Sequence, residues 1–277
     1  MSRPAIFLID NGSLRPEATF GLRDLAANLT ARVGAPVEAV SLLHSYKIPV
    51  EKLAGVPATV VKSRLRELLQ EGQTDFVLLP LFLGPSLAVI DFLPLVLREF
   101  KEEFPELQAT IAEPLAGMDV ENPDPRLARM LADHVRAQLE NSPDAQVSLI
   151  DHGTPIEPVN RLRNAVARQL AQELGQTVQP CSMERRDGPE YAFNEPLLEH
   201  LGEIEGFSAR TLILAMFFLL PGRHAGAGGD VAEIAEGVID QGIFHEVKMT
   251  PLLGEHPLLL EILEERLMAA CPLPATI

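Results

Sequence analysis

The sequence predicts an α/β protein made of two similar domains, each a four-stranded parallel sheet flanked by helices. Three observations carry that expectation. The stretch Leu8-Ile9-Asp10-Asn11-Gly12-Ser13 recurs as Leu149-Ile150-Asp151-His152-Gly153-Thr154, and the offset of 141 residues is kept at the next glycines, Gly34 and Gly175. Short apolar runs alternate with stretches of helical periodicity, the order of a sheet whose parallel strands are joined by crossover helices. With 277 residues and 47% hydrophobic content, the chain is long enough for two cores of ordinary size. The repeats are placed at 1–142 and 143–277, divided by the polar, helix-breaking Asn141-Ser142-Pro143-Asp144.

In the first repeat, Ala5 to Asp10 is a strand of buried type, and Leu22, Leu25, Ala26, Leu29 and Val33 recur at helical spacing. Val37 to Leu43 is a second strand. Ala58 to Leu69 is a helix with Val61, Leu65, Leu68 and Leu69 inward, and Phe76 to Leu79 is a third strand whose regular pairing Pro80 ends. A helix around Phe92 to Phe104, a short strand near Ala109 to Ala112 and a helix from Arg126 to Leu139 complete the repeat. The second repeat follows the same order. Val147 to Asp151 is a strand, and Thr154-Pro155-Ile156-Glu157 reads as a capping box with proline at the first helical position. Val159, Leu162, Val166 and Leu170 are the inward residues of that helix. Thr177 to Glu184 is read as a strand, Glu195 to Ile204 as a helix, Thr211 to Phe218 as a strand and Asp230 to Ile239 as a helix capped by Asp230. Glu246 to Met249 and Leu258 to Met268 close the chain as strand and helix.

Composition removes several classes of function. A net charge of −16, from 39 acidic and 23 basic residues, repels nucleic acid and anionic membrane. With no Trp and two Tyr there is little to stack on bases. Cys181 and Cys271 form no CxxC pair, so neither a disulfide framework nor a thiolate metal site is indicated. Ala5 to Ile9 is too short for a signal-peptide core, and no other apolar run reaches spanning length. The expectation is a cytoplasmic protein.

In open parallel sheets ligands bind beyond the carboxyl ends of the strands. Three polar residues of the second repeat are expected there: His152 after its first strand, Glu184 ending the second, and His224 after the third, in Pro221-Gly222-Arg223-His224. Two imidazoles and one carboxylate suit iron, cobalt, nickel or zinc and leave coordination positions open. The first repeat is an internal control. At the same offset Asn11 replaces His152 and Leu43 replaces Glu184, and the third loop, Leu83 to Asp91, has no histidine. All three candidates are missing together, which points to one shared task. Taken singly, each also fits a bland role as a turn, solvated or loop residue, as do His44, His134, His200, His245 and His256.

Gly222, Gly226, Gly228 and Gly229 let the backbone around His224 approach a bulky ligand. No GxGxxG opens a helix after a strand and no Gly-Lys-Ser/Thr occurs, so no nucleotide is expected. Arg185, Arg186 and Arg223 flank the candidate ligands, as ordinary surface charges in the usual case, or, beside a metal site, as partners for carboxylate groups of a substrate. A phosphohydrolase with His152 as nucleophile is disfavoured because Asp151, not a phosphate-binding arginine, precedes it.

The motif His152-Gly153-Thr154, Glu184, the loop Phe218-Leu219-Leu220-Pro221-Gly222-Arg223-His224 and Asp230 resemble those of the sirohydrochlorin chelatases, the cobaltochelatase and ferrochelatase family. The likeness runs over the whole chain as two tandem repeats, and the first keeps Pro80-Leu81-Phe82-Leu83 and Asp91. The resemblance implies insertion of a divalent ion, cobalt, iron or nickel, into a carboxylate-rich tetrapyrrole without ATP, in a cleft between the two domains. It implies His152, Glu184 and His224 as metal ligands and catalytic groups, with Arg185, Arg186, Arg223, Gly153 and Thr154 on the substrate, in a monomer or homodimer. A carrier that binds the metal or the tetrapyrrole without turnover is the alternative. Imidazole ligands must be unprotonated, so binding should weaken as pH falls.

Overall fold

The computed structural model describes residues 3–207, 210–226 and 228–271. In chain order its strands and helices are β1 (Ala5–Asp10), α1 (Pro16–Val33), β2 (Val37–Ser41), α2 (Val61–Gln70), β3 (Asp75–Pro80), α3 (Leu93–Glu103), β4 (Gln108–Ile111), α4 (Arg126–Leu139), β5 (Gln146–Asp151), α5 (Glu157–Leu174), β6 (Val178–Ser182), β7 (Thr211–Met216), α6 (Asp230–Asp240), β8 (Glu246–Met249) and α7 (Leu258–Ala270). They form two four-stranded sheets, ordered β2-β1-β3-β4 and β6-β5-β7-β8, parallel throughout. The two-repeat α/β architecture expected from the sequence is the one observed.

Why these segments form these elements follows from burial on both faces. Ile6 to Ile9 and Val147 to Ile150 are buried without polar alternation, as strands covered on two sides require, save for Ser148, whose hydroxyl donates to the Gln179 carbonyl at 2.7 Å. The helices after β1 and β5 begin and end at the same offset, each stopped by a left-handed glycine, Gly34 at φ 66° and Gly175 at φ 67°. Pro80 is the last paired residue of β3, opposite Ile9.

Two sequence expectations are corrected here. No capping box forms: Thr154 Oγ1 accepts from the Ile156 N–H at 3.2 Å, α5 starts only at Glu157, and the proline in its first turn is Pro158 rather than Pro155. The first repeat makes the same short turn, with Ser13 Oγ accepting from the Arg15 N–H at 3.0 Å. The helix expected over Glu195 to Ile204 is instead one short 3-10 segment, Leu198–Glu203, preceded by another, Pro189–Asn194. Pro196 has no N–H to donate, and Glu195 before it is extended at ψ 150°, so no helix can run through.

The compact units are not the sequence repeats. One unit comprises 1–118 and 257–277, the other 119–256. Helix α4, which ends the first repeat, lies in the second unit and packs on α5 and β7, burying Leu127, Met130, Leu131 and Val135. Helix α7, which ends the second repeat, lies in the first unit against α1 and β3, burying Leu259, Ile262, Leu263 and Leu267. The two repeats have exchanged their last helices. Each such leucine or isoleucine contributes about 1.5–3 kcal/mol when fully buried, so each sheet depends on a helix encoded in the other repeat. No helix among the described residues is long and apolar enough to cross a membrane.

Candidate metal centre

His152 stands directly after β5, in a turn that only glycine can make next to it. Gly153 has φ 91°, and a Cβ there would fall 1.9 Å from the Glu184 carbonyl oxygen. That close approach is what joins the first and second loops. The Glu184 N–H donates to the His152 carbonyl at 3.2 Å, and the Met183 N–H to that of Asp151 at 2.8 Å. Glu184 therefore lies two residues beyond the end of β6 rather than within it. Its Oε1 is 3.3 Å from His152 Nε2.

The third loop brings His224 to the same place. Gly222 N–H donates to the Ala225 carbonyl at 2.8 Å, and the first residues of α6 fold back on the loop, Asp230 N–H to the Arg223 carbonyl and Val231 N–H to that of His224, both at 3.1 Å. Gly229 permits this, since a Cβ there would sit 2.9 Å from the His224 carbonyl oxygen. The imidazoles of His152 and His224 meet edge to face, with centroids 4.3 Å apart and planes at 70°.

The ring nitrogens are unequally occupied. His224 Nδ1 is 2.7 Å from Asp230 Oδ2, a carboxylate that orients the ring and leaves Nε2 for a ligand. Asp230 does not cap α6, whose N-cap is Gly229 without a side-chain bond. His152 Nδ1 is 3.0 Å from the Gly153 carbonyl, which can only accept, so this nitrogen carries the hydrogen. In the neutral ring Nε2 is then a bare lone pair facing a carboxylate. At 3.3 Å the two can be bridged by a cation. Among the described residues no group of three or more His, Cys, Asp or Glu side chains is placed to hold a metal ion. What comes together is His152 with each of the other two, Glu184 at 3.3 Å and the His224 ring at 4.3 Å between centroids.

Beneath the turn, Asp151 Oδ1 accepts from the Gly153 N–H at 3.1 Å and from the Ser182 hydroxyl at 2.8 Å. Burial pushes this carboxyl up, and the Arg163 guanidinium pulls it back. Burial pushes the Cys181 thiol up to about 12, so it is no thiolate ligand. Thr154 is held by Asn194, which sequence reasoning missed: Asn194 Oδ1 accepts from the Thr154 N–H at 3.0 Å, and its Nδ2 donates to the Thr154 carbonyl at 2.9 Å. Asn194 lies between the strand read to Glu184 and the helix read from Glu195, and no periodicity marks it.

The three arginines differ. Arg185 is committed to Glu195 at 2.7 Å and to the Gly188 carbonyl at 3.2 Å, and Glu195 also holds His200 Nδ1 at 3.0 Å. The bond to Glu195 raises the His200 imidazole above its ordinary range. Arg186 lies over the Tyr191 ring, 5.8 Å from its centroid. Arg223 is 3.3 Å from Asp230, with 78% of its side chain exposed. Of the other histidines, His134 and His256 face each other with ring centroids 5.3 Å apart.

A family model described as CbiX matches residues 5–138 and again 146–270. None of the curated proteins matches the chain. Among solved structures the chain is similar to SirB from Bacillus subtilis with Fe3+, at 17% identity, 98% of this chain and 96% of that one, TM-score 0.68. It is similar to the sirohydrochlorin chelatase SirB from Bacillus subtilis subspecies spizizenii in complex with cobalt, at 15% identity, 97% and 96% coverage, TM-score 0.68. A third is CbiX, the terminal enzyme of sirohaem biosynthesis in denitrifying bacteria, at 16% identity, 97% and 99% coverage, TM-score 0.59. At such identities the structural likeness shows the fold.

Proposed function

The chain belongs to the CbiX family, and from that premise we propose that it inserts a divalent metal ion, cobalt or ferrous iron, into a sirohydrochlorin-type tetrapyrrole without ATP, as a step of cobalamin or sirohaem synthesis. The observation that supports this reading is the position of His152 between two other loops, its imidazole 4.3 Å from that of His224 and its Nε2 3.3 Å from the Glu184 carboxylate. Cobalt stands in the structure of the sirohydrochlorin chelatase SirB, which shares the fold.

The metal is a substrate, so it has to be held and then given up. Insertion exchanges two pyrrole N–H protons for one ion, and the protons need acceptors close to the ring. His152 and His224 hold the ion through Nε2, and Glu184 offsets part of its charge. An open set of three donors binds more loosely than a closed four-ligand site. As the ion leaves, the vacated Nε2 of His152 and the Glu184 carboxylate become the bases that take the protons. Arg223 and Arg186, each with an exposed guanidinium, suit the carboxylates of the macrocycle. Gly153 and Thr154 line its edge with backbone.

The test follows the visible absorption of sirohydrochlorin with cobalt, ferrous iron or nickel, without oxygen, in the presence of catalytic amounts of protein. Many turnovers with one metal, abolished in the His152→Ala, His224→Ala double variant, are expected. A spectral change that saturates at one equivalent assigns the chain to binding and transport instead.

A further inference from the structure

The core of the second unit contains a charge that the reading above does not use. Arg163 of α5 is 1% exposed. Its Nη1 donates to the Ser182 hydroxyl at 2.9 Å and lies 3.5 Å from Asp151 Oδ1, while its Nε donates to Asn164 Oδ1 at 2.9 Å. Arginine can only donate, so Ser182 accepts from it and turns its own hydrogen to Asp151. Asp151 Oδ1 in turn accepts the Gly153 N–H. A continuous chain of hydrogen bonds thus runs from the helix core through Ser182 and Asp151 into the turn that presents His152.

The first repeat shows what this arginine is not for. At the same offset it retains the carboxyl as Asp10, the glycine as Gly12 and the serine as Ser41, but Leu22 stands in place of Arg163. The turn is built all the same, with Gly12 at φ 86° and its missing Cβ 1.8 Å from the Leu43 carbonyl oxygen. Without the arginine, Asp10 Oδ1 is buried with no partner. The arginine is present in the repeat that carries the two histidines and absent from the one that lacks them. Burying an arginine is costly unless it serves a partner, so a residue that the backbone does not need points to a task at the site.

We propose that Arg163, acting through Ser182 and Asp151, is a positioning residue that fixes the His152–Gly153 turn and the anion beneath it for metal binding. It touches neither metal nor tetrapyrrole. The proposal rests on the metal-binding reading given above and adds a group that lies outside the three donor loops. Outer partners of metal ligands change affinity by roughly 10- to 100-fold when removed.

The experiment is a Co2+ titration, read by visible absorption without any tetrapyrrole, on the full chain and on Arg163→Leu and Arg163→Lys, with thermal unfolding measured alongside. Arg163→Leu installs the residue that the first repeat already uses. The expected result is a folded variant that binds Co2+ at least about tenfold more weakly well below its unfolding temperature, with much of the loss restored in Arg163→Lys. Equal affinity in the wild type and a folded Arg163→Leu overturns the proposal, even if the variant melts earlier. Should Arg163→Leu fail to fold, the Arg163→Leu, Asp151→Asn double variant removes the stranded charge as well. Wild-type affinity in that variant overturns the proposal, and weakened binding supports it. No Co2+ binding by the wild type defeats the metal-binding reading itself, and this proposal with it.

Discussion

The turn Asn11-Gly12-Ser13 after β1 and the turn His152-Gly153-Thr154 after β5 share a left-handed glycine and the same closing hydrogen bond. The glycines sit at φ 86° and 91°, and each following loop closes on them with an N–H to carbonyl bond of 3.2 Å, from Leu43 in one repeat and Glu184 in the other. Their surroundings differ. In the first unit the strand ends expose Leu14, Leu43, Leu87 and Ile90, whereas in the second they carry Glu184, Arg223 and the two facing imidazoles. The difference teaches that the glycine and the buried carboxyl belong to the fold, which both repeats must satisfy, while the residue beside the glycine is free to follow function.

The comparison breaks first at the histidines. His152→Ala with His224→Ala should lower metal insertion by about 100-fold or more, whereas Asn11→Ala should leave the turnover rate unchanged. Equal losses in an absorption assay would mean that both turns serve the chemistry. The glycines should behave alike. Gly12→Ala and Gly153→Ala each force a Cβ against a carbonyl oxygen at a positive φ, and each should cost about 2–4 kcal/mol in urea unfolding. A tolerant Gly12 would show that the shared backbone is dispensable in one repeat.

The buried carboxyls sharpen the contrast. Burial raises Asp10 from 3.8 to about 6, against weaker opposing bonds from Ser41 and the Gly12 N–H. Arg23 and Glu38 are the charged residues lining the hollow beside Ser41, and Glu38 is already paired with Arg64. A carboxyl raised in the folded state favours folding at low pH, and that contribution fades as pH climbs from about 4 through about 6. Asp10→Asn should therefore remove a pH-dependent penalty of about 2–3 kcal/mol and stabilise the protein at pH 7. Melting curves of the two proteins should converge toward pH 4, and parallel curves would refute the assignment. The smallest effect is expected at Asp230. Asp230→Asn keeps the shape but loses the carboxylate behind His224, and should weaken Co2+ binding about tenfold. Unchanged affinity would show that the loop alone orients the ring.

Much of this was legible in the sequence because strands buried on both faces announce themselves as apolar runs, and because the two copies check each other. Both repeats, the eight strands among the described residues, and the approach of His152 to Glu184 and to His224 were open to that reading. The rest failed for local reasons. Thr154 and Glu157 have capping-box spacing, but the positive φ of Gly153 turns the hydroxyl toward Ile156. Asp230 looks like a helix cap and is drawn instead to His224. Arg163 could have been found: Leu22 reads as a core residue, and the offset of 141 places an arginine at the same inward position. Asn194 and the helix exchange depend on contacts that no local pattern encodes.

That exchange sets how the chain can be cut. A half-length protein ending at 142 would keep the sheet β2-β1-β3-β4 while carrying α4, the helix that covers the other sheet, and would lack α7. Its partner half would have the reverse defect. Separate expression of the repeats should give two sticky fragments, each with an uncovered sheet face and an unemployed amphipathic helix, which recover solubility when produced together. A rearranged chain that starts near 119 and carries residues 3–118 after α7 would keep each sheet with its covering helix. The gene is a tandem duplication, but the protein it encodes is woven.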